Sequence, residues 1–235
     1  MAIADLRREY SAGSLRRADL QPDPLAQFDQ WFNQAVATRT PGNFFRRVGV
    51  STYKWFQSVC GKTSAEANAM TLATADKNGR PASRMVLLKG VDARGFVFFS
   101  HYDGPKGQDL AENPQAALVF YWPDLERQVC VGGTVEKLPA AESAAYFRSR
   151  PRGSRLAAWV ARQSQVVPDR KFLEDRLRQA EAQHPGDVPR PDYWGGYLLS
   201  PARIEFWQGR PNRLHDRFLY TKRPDGGWQI ERLSP

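Results

Sequence analysis

The fold is decided by the stretch Ala69-Met-Thr-Leu-Ala-Thr-Ala-Asp-Lys-Asn-Gly-Arg-Pro-Ala-Ser-Arg-Met-Val-Leu-Leu-Lys89. It places two runs of strand character, Met70 to Ala75 and Ser83 to Lys89, on either side of Asp76-Lys77-Asn78-Gly79. An Asn-Gly pair between two such runs favours the tight turn that joins antiparallel strands. The stretch therefore predicts a β-hairpin.

Strands and helices are predicted outward from this hairpin by the change between a period of two and a period of 3.6 residues. Strands are predicted at Phe96 to Ser100, Ala116 to Trp122, Gln128 to Lys137, and in the C-terminal part, where Asp225-Gly226-Gly227 indicates a last hairpin. A helix is predicted after Asp23-Pro24, where Leu25, Phe28, Trp31, Phe32 and Ala35 recur at helical spacing. Further helices are predicted at Lys106 to Asn113, Pro139 to Arg148, near Ala157 to Ala161, and at Pro168 to Gln183. Closely joined strands with inserted helices predict a mainly β, α+β fold built on an antiparallel barrel.

The 235 residues are predicted to form a single domain, 1–235, with no internal repeat. Residues 1–20 are polar and rich in arginine, which is typical of an N-terminal arm. Residues 40–64 interleave aromatic and basic side chains. Such a segment can contact single-stranded nucleic acid, but a short helix that packs its aromatic side on the body is the favoured interpretation.

Composition limits the possible partners. The formal charge of +9 would attract phosphorylated ligands, but it is scattered, and we expect no nucleic-acid partner. The N-terminus does not resemble a signal peptide and no apolar run could cross a bilayer, so a cytoplasmic protein without membrane association is expected. Two cysteines, Cys60 and Cys130, and three widely spread histidines predict no metal site.

Arg213, His215 and Arg217 form the first candidate site. In a strand their side chains would share one face, which places two fixed cations beside a group that titrates near neutral pH. Neighbouring like charges destabilise a sheet, so an anionic ligand would explain the pattern. A solvated basic edge strand is the alternative.

Arg84 and Lys89 place two cations in an otherwise apolar strand. Their odd separation directs them to opposite faces, so they should not bind the same anion unless a bulge intervenes. A salt bridge to a buried carboxylate and a phosphate partner are both compatible with these charges.

Two further clusters carry polar groups suited to an anion. Ser100 and Lys106 lie where a strand meets a short helix, and a helix N-terminus beside a cation can bind an anion. Tyr146, Arg150 and Ser154 offer a phenol, a guanidinium and a hydroxyl within about two helical turns, although a solvated helix end is the alternative. Since no nucleophile elbow, metal-binding His pair or dinucleotide fingerprint is present, any reaction would need an organic cofactor.

Together these segments resemble the pyridoxamine 5′-phosphate oxidase family of FMN enzymes. The matching segments are LRREY (6–10), SRMVLLKG (83–90), LERQV (125–129), YFRSRPRGS (146–154), RQSQV (162–166), WGGY (194–197), IEFWQG (204–209) and RLHDR (213–217). They occur in the family's order and cover nearly all of the chain except residues 40–64. The resemblance implies an FMN-binding split β-barrel, a homodimer with FMN at the subunit interface, and phosphorylated B6 vitamers as substrates.

The resemblance also implies site residues, position by position. Contacts with FMN are expected from Arg84, Met85, Val86, Leu87, Lys89, Phe99, Ser100, Lys106, Gln128, Gln163, Ser164, Trp207 and Arg217. Lys89, Tyr146, Arg150 and Ser154 would hold the substrate phosphate. Arg213 and His215 would be catalytic residues over the substrate ring, with Arg7 and Tyr10 closing the site from the arm. Arg84 and Lys89 would then lean toward different phosphates.

The implied activity is oxidation of pyridoxamine or pyridoxine 5′-phosphate by O2 to pyridoxal 5′-phosphate, with H2O2 and, from the amine, NH3. The alternative is a non-catalytic split-barrel protein that binds flavin or pyridoxal phosphate. Two departures from the family pattern stand out. Pro105-Lys106 replaces an Arg-Lys pair, which predicts weaker FMN retention, and residues 41–64 resemble an insertion, with an extra helix on the dimer surface as the expectation.

Overall fold

The computed structural model describes residues 3–5, 9–39 and 66–235. Their helices are α1 (Pro24–Arg39), α2 (Pro105–Glu112), α3 (Ala140–Ser149), α4 (Arg152–Val160) and α5 (Arg170–Gln183). Their strands are β1 (Ala69–Ala75), β2 (Pro81–Asp92), β3 (Gly95–His101), β4 (Gln115–Trp122), β5 (Arg127–Lys137), β6 (Trp194–Gln208), β7 (Asp216–Lys222) and β8 (Trp228–Leu233). Short 3₁₀ turns occupy Ile3–Asp5, Arg17–Asp19 and Pro211–Arg213.

The predicted hairpin is formed by β1 and β2. Its turn closes with a hydrogen bond of 3.2 Å from the Asp76 amide to the Arg80 carbonyl, and one of 3.0 Å from the Gly79 amide to the Asp76 carbonyl. Gly79 has φ 78°, a left-handed conformation that glycine adopts without the steric cost of a Cβ atom. The Asp76 carboxylate also accepts the amides of Asn78 and Arg80, which satisfies the exposed turn.

The sheet closes into an antiparallel barrel, which confirms the predicted fold class. Its strand order is β3-β2-β1-β4-β5-β6-β7-β8, and an additional pairing joins β3 to β6, so six strands form a ring. The long strand β6 makes this possible: its first part pairs with β3, as in Phe98 opposite Tyr197, and its second part pairs with β7, as in Phe206 opposite Phe218. The pairing of β7 with β8 completes the predicted C-terminal hairpin.

The first of two compact units comprises residues 1–71, 118–132 and 201–235. Its core is aromatic: Phe28 of α1 lies 4.8 Å from Phe120 and 6.0 Å from Trp122, measured between ring centroids. Trp31 packs edge-on against Phe206 at 5.2 Å. The helical spacing of these apolar residues predicted α1 correctly, and Asp23 caps the helix by accepting the Leu25 amide at 3.0 Å.

The second unit comprises residues 72–117 and 133–200. One of its clusters packs helices α3, α4 and α5 with Trp194 at the start of β6. Helix α4 begins at Arg152, five residues before the predicted start. Pro151 disfavours a helical conformation at Arg150, which ends α3 and separates the two helices. The organisation of the whole chain as one domain stays a prediction.

The N-terminal arm contributes to the core, which its polar composition did not predict. Leu15 is only 3% exposed. The expectations for Arg7 and for residues 40–64 lie outside the described residues. Over the residues that are described, no helix is both long and apolar enough to span a membrane.

Candidate active site

A cavity of about 680 Å³ lies in the second unit, within the size range of small-molecule sites. Its walls come from β2, β3, the start of α2, the junction of α3 and α4, and the loop before α5. The predicted site residues on its wall are Arg84, Met85, Val86, Leu87, Lys89, Phe99, Ser100, Lys106, Tyr146, Arg150, Ser154, Gln163 and Ser164. The structure therefore brings together most of the predicted cofactor and phosphate residues.

A β-bulge brings Arg84 and Lys89 to the same cavity. Between β2 and β3 the register shifts, with Leu88 opposite Phe98 and Gly90 opposite Val97, so Lys89 is the extra residue. Such a residue breaks the alternation of faces along the strand. The bulge named above as the exception is therefore present, and Arg84 and Lys89 both line one cavity.

Arg84 has protein partners, as its salt-bridge interpretation predicted. Its guanidinium donates a hydrogen bond of 2.7 Å to the Thr74 hydroxyl and lies 3.6 Å from the Asp109 carboxylate. Asp109 in turn accepts the Thr74 hydroxyl at 2.6 Å. This network holds one face of the guanidinium, and Arg84 still lies on the cavity wall.

The predicted polar corner forms where β3 leads into α2. The Ser100 hydroxyl donates to the Gln163 side-chain oxygen at 3.3 Å, and the Lys106 ammonium donates to the same oxygen. Lys106 is only 5% exposed. Burial, with a smaller contribution from Arg84, lowers the pKa of Lys106 to about 8. Since burial disfavours the charged amine, an anion in the cavity would restore its proton affinity.

Tyr146, Arg150 and Ser154 meet at the break between α3 and α4. The Tyr146 ring stacks on Phe99 with centroids 3.8 Å apart, and the Arg150 guanidinium lies 4.6 Å from the centre of the Trp194 ring. The Nη1 atom of Arg150 is buried without a hydrogen-bond partner among the described residues. A buried guanidinium nitrogen of this kind is costly unless a ligand accepts its proton.

A second cluster lies in the first unit, around His215. Tyr10 packs edge-on against Trp207 and His215, at centroid distances of 5.5 and 5.6 Å, and Trp207 lies 4.7 Å from His215. The Nδ1 atom of His215 accepts the Arg210 amide at 3.1 Å, so the neutral ring carries its proton on Nε2. Burial first, then Arg213 and Arg217, lowers the pKa of His215, which favours this neutral form.

The proposed common strand face of Arg213, His215 and Arg217 is absent. Arg213 lies in a 3₁₀ turn, with φ 61°, and β7 begins only at Asp216. The turn interrupts the alternation of faces because Asn212 and Arg213 both adopt left-handed backbone conformations. Arg217 alone lies on the strand, opposite Trp207.

Three predicted cofactor contacts lie outside the lining of this cavity: Gln128, Trp207 and Arg217. Arg217 forms a bidentate ion pair with Glu205, at 2.8 and 3.1 Å, so the Glu205 carboxylate partly neutralises the Arg217 charge. Gln128 donates to the Cys130 sulfur at 3.3 Å. Burial raises the pKa of Cys130 to about 11, so this thiol stays protonated at neutral pH.

Two residues on the cavity wall were not predicted, Pro151 and Trp194, and Pro105 was predicted only as the replacement of a family arginine. Trp194 had a usable signal, since it opens the quoted WGGY segment, and its ring supports Arg150. No group of three or more His, Cys, Asp or Glu side chains in the described part of the chain could hold a metal ion.

Comparison with known proteins identifies the family of the chain. Residues 62–184 match the model of the family described as pyridoxamine 5′-phosphate oxidase. The chain belongs to the pyridoxamine 5′-phosphate oxidase family. Residues 194–235 match the family's C-terminal dimerisation region. The predicted membership is therefore confirmed, and with it the expectation of an oxidoreductase.

Relatives in this oxidase family extend over the full chain. A pyridoxine/pyridoxamine 5′-phosphate oxidase from Paraburkholderia phymatum is 52% identical over 233 residues, which cover 99% of each chain. One of the same name from Cupriavidus taiwanensis is 50% identical, again over 99% of each chain.

Solved structures agree with the oxidase fold. PhzG from Burkholderia lata 383, in complex with tetrahydrophenazine-1-carboxylic acid, is 26% identical, with a TM-score of 0.78 over 94% of this chain and 98% of its own. A pyridoxamine 5′-phosphate oxidase-related, FMN-binding protein from Nostoc punctiforme, 18% identical, has a TM-score of 0.61 over 79% of this chain and 100% of its own. The second likeness concerns the fold alone.

Proposed function

We propose that this protein catalyses the FMN-dependent oxidation of pyridoxine 5′-phosphate or pyridoxamine 5′-phosphate by O2 to pyridoxal 5′-phosphate. The substrate loses two electrons at its C4′ carbon, and O2 takes them up with two protons to give H2O2. From the amine, water supplies the aldehyde oxygen and NH3 is released. The relatives' names support the substrate class, and the cavity supports two phosphorylated ligands.

The observation that carries the proposal is an excess of cations without carboxylate partners in the cavity. Of the four cations on its wall, only Arg84 approaches a carboxylate among the described residues. Lys89, Lys106 and Arg150 form no salt bridge to the described carboxylates. Grouped cations without counter-ions are unfavourable, and phosphate groups would neutralise them through hydrogen bonds to ionised groups.

The residues present fit FMN and a second phosphate. Arg84, Ser100 and Lys106 would hold the flavin phosphate, with Gln163 and Ser164 beside them. Bound FMN would supply the hydride acceptor and the group that reacts with O2. Pro105 leaves this subsite with one cation fewer than the family pattern, which supports the prediction of weaker FMN retention.

The substrate phosphate would be held at the junction of α3 and α4. Lys89, Tyr146, Arg150 and Ser154 present two cations and two hydroxyls on the cavity wall. Each hydrogen bond to an ionised phosphate contributes about 1.5–3 kcal/mol. Orientation of the substrate by these contacts would account for much of the protein's contribution to the rate.

Arg213 and His215 would act on the substrate ring. Neutral His215 has only its Nε2–H free to donate, since Nδ1 accepts the Arg210 amide. In this state His215 would donate a hydrogen bond to a substrate oxygen or nitrogen and so orient the substrate. Tyr10 would close over the ring, and the same role is predicted for Arg7.

We also propose a homodimer with FMN at the subunit interface. The match of residues 194–235 to a dimerisation region supports this arrangement, because Trp207, Arg213, His215 and Arg217 all lie within it. A cytoplasmic location remains our prediction.

The test is an anaerobic mixing experiment. FMN-reconstituted protein is mixed with pyridoxine 5′-phosphate, and the visible absorbance of the flavin is followed. Rapid bleaching that air reverses, with formation of pyridoxal 5′-phosphate, is the expected result. A bound flavin that stays oxidised would instead favour the non-catalytic binding protein.

Unphosphorylated pyridoxine is the matched control for the phosphate subsite. At equal concentration it should bleach the flavin far more slowly, because the cations of the cavity cannot hold it. In an Arg150→Met variant, the rates of flavin reduction by pyridoxine 5′-phosphate and by pyridoxine should differ less than in the unmodified protein. Equal rates for both substrates in the unmodified protein would refute the phosphate subsite.

A further inference from the structure

We propose that Glu126 is a positioning residue that fastens the N-terminal arm so that Tyr10 packs against Trp207 and His215. Glu126 is only 3% exposed, and its Oε2 atom accepts a hydrogen bond from the Ala12 amide at 2.7 Å. Ala12 is two residues from Tyr10. The effect on turnover rests on the function proposed above, whereas the fastening of the arm does not.

The backbone of Glu126 is held in an uncommon conformation. Its φ is 53°, in the left-handed region that non-glycine residues rarely occupy. Such a residue persists where its surroundings hold it, and these residues concentrate at functional sites. Here the conformation ends the turn after β4 and directs the carboxylate to the arm.

Glu126 also holds the segment on which Tyr10 packs. Its carbonyl accepts the Gly209 amide at 2.8 Å and the Gln208 side-chain amide at 3.3 Å. Gly209 follows the strand that carries Trp207. A Cβ atom there would lie 2.8 Å from Cγ of Tyr10, so the absence of a side chain leaves the space that the Tyr10 ring fills. One residue thus contacts both the arm and the segment beneath it.

A second carboxylate fastens the arm further along. Asp216 accepts the Leu15 amide at 3.0 Å, and the Arg210 guanidinium donates to the Gly13 carbonyl at 2.9 Å. Asp216 directly follows His215, and the Arg210 amide donates to the His215 ring. The fastening contacts are therefore connected to the residue that is proposed to act on the substrate.

The first test measures the arm itself by hydrogen exchange of the amides of residues 9–16. In the Glu126→Ala variant the Ala12 amide should exchange roughly 10- to 100-fold faster, the range that corresponds to one hydrogen bond to a charged group. The Glu126→Gln variant, which keeps an acceptor oxygen, should be intermediate. Unchanged exchange in both variants would overturn the proposal.

Asp19→Asn is the matched control. Asp19 is another arm carboxylate, but it accepts hydrogen bonds from Arg16 inside the arm. The substitution removes one negative charge, as Glu126→Ala does, but leaves the hydrogen bond between Glu126 and Ala12 in place. Exchange at the Ala12 amide and turnover should therefore stay unchanged. Faster exchange at Ala12 in this variant, equal to that of Glu126→Ala, would mean that charge alone loosens the arm and would overturn the proposal.

The second test is a double-mutant cycle between Glu126 and Tyr10. If Glu126 acts through Tyr10, Glu126→Ala should slow flavin reduction in the unmodified background and have little effect once Tyr10 is alanine. Losses that multiply in the double variant would indicate independent roles and overturn the positioning role. KM for the phosphorylated substrate should rise more than kcat falls, since the arm closes over bound substrate.

The two proposals fail in different ways. If the unmodified protein does not reduce its flavin, the proposed oxidation fails, while the exchange measurement still tests the fastening. If Glu126→Ala does not fold, Glu126→Gln replaces it. In that case, exchange at the Ala12 amide no faster than in the unmodified protein would overturn the proposal.

Discussion

FMN affinity should depend on pH through Lys106. This lysine is almost fully buried on the cavity wall, and its pKa is lowered to about 8. Because the lowered pKa belongs to a cation, the side chain loses its proton as the pH rises through about 8. If the charged form holds the flavin phosphate, binding weakens over the same interval.

The magnitude follows from this pKa. With a pKa of about 8, about nine in ten Lys106 side chains are charged at pH 7 and about one in ten at pH 9. The dissociation constant for FMN should therefore rise about tenfold between pH 7 and pH 9, or about 1.4 kcal/mol. With a lysine of the ordinary pKa of about 10.4, the dissociation constant would change by only a few per cent between pH 7 and pH 9.

The assay is a titration of FMN with apoprotein, followed by flavin fluorescence at constant ionic strength. Lys106→Arg is the matched control, because an arginine stays charged throughout this range. It should bind FMN with little change between pH 7 and pH 9. Lys106→Met should bind weakly at both.

Two results would refute the reasoning. A flat profile in the unmodified protein would mean that Lys106 does not exchange its proton in this range or does not hold the phosphate. A tenfold change that persists in Lys106→Arg would assign the pH dependence to another group.

Three further predictions concern the cofactor subsite, the histidine and the core. Pro105→Arg should tighten FMN binding by roughly tenfold, since it restores a charged hydrogen bond, without a change for riboflavin, which lacks the phosphate; no tightening would count against the assignment of this subsite. His215→Asn, which keeps an acceptor for the Arg210 amide, should slow anaerobic flavin reduction by at least about tenfold while FMN affinity changes less than about twofold; an unchanged reduction rate would remove His215 from the mechanism. Phe28→Ala should lower the free energy of unfolding, measured in urea, by about 3–5 kcal/mol, because Phe28 is 1% exposed and packs against Phe32, Phe120 and Trp122. The control Phe172→Ala, at a residue that is 36% exposed, should lower it by less than about 1.5 kcal/mol. Equal losses would contradict the assignment of Phe28 to the core.

Periodic and local features made much of the fold predictable. The Asn78-Gly79 turn, the helical spacing of Phe28 and Trp31, and the final Asp225-Gly226-Gly227 turn all gave elements at the expected places. Helix ends shifted by a few residues where prolines decided them, as at Pro151. The closure between β3 and β6 joins segments about a hundred residues apart, and local patterns carry no record of such pairing.

The candidate site divided in the same way. Grouped cations in the sequence suggested an anionic ligand, because neighbouring like charges destabilise a sheet. The family resemblance supplied the role of each residue. Arg84, Lys106, Tyr146, Arg150 and Ser154 do share one cavity. The prediction that Arg213 and Arg217 share one strand face was wrong. Two residues with left-handed backbone conformations in the Pro211–Arg213 turn interrupt the alternation of side chains between faces.

The sequence by itself determined the barrel class, the phosphate-binding residue types and the family, because hydrophobic period, turn residues and charged motifs are local properties. Tertiary structure alone decided that a bulge places Lys89 in the same cavity as Arg84, and that Glu126 meets the arm at Ala12. Both depend on contacts between distant segments: the first on register against β3, the second on a hydrogen bond across 114 residues. Register and long-range hydrogen bonds are set by how the whole chain packs, so local sequence cannot specify them.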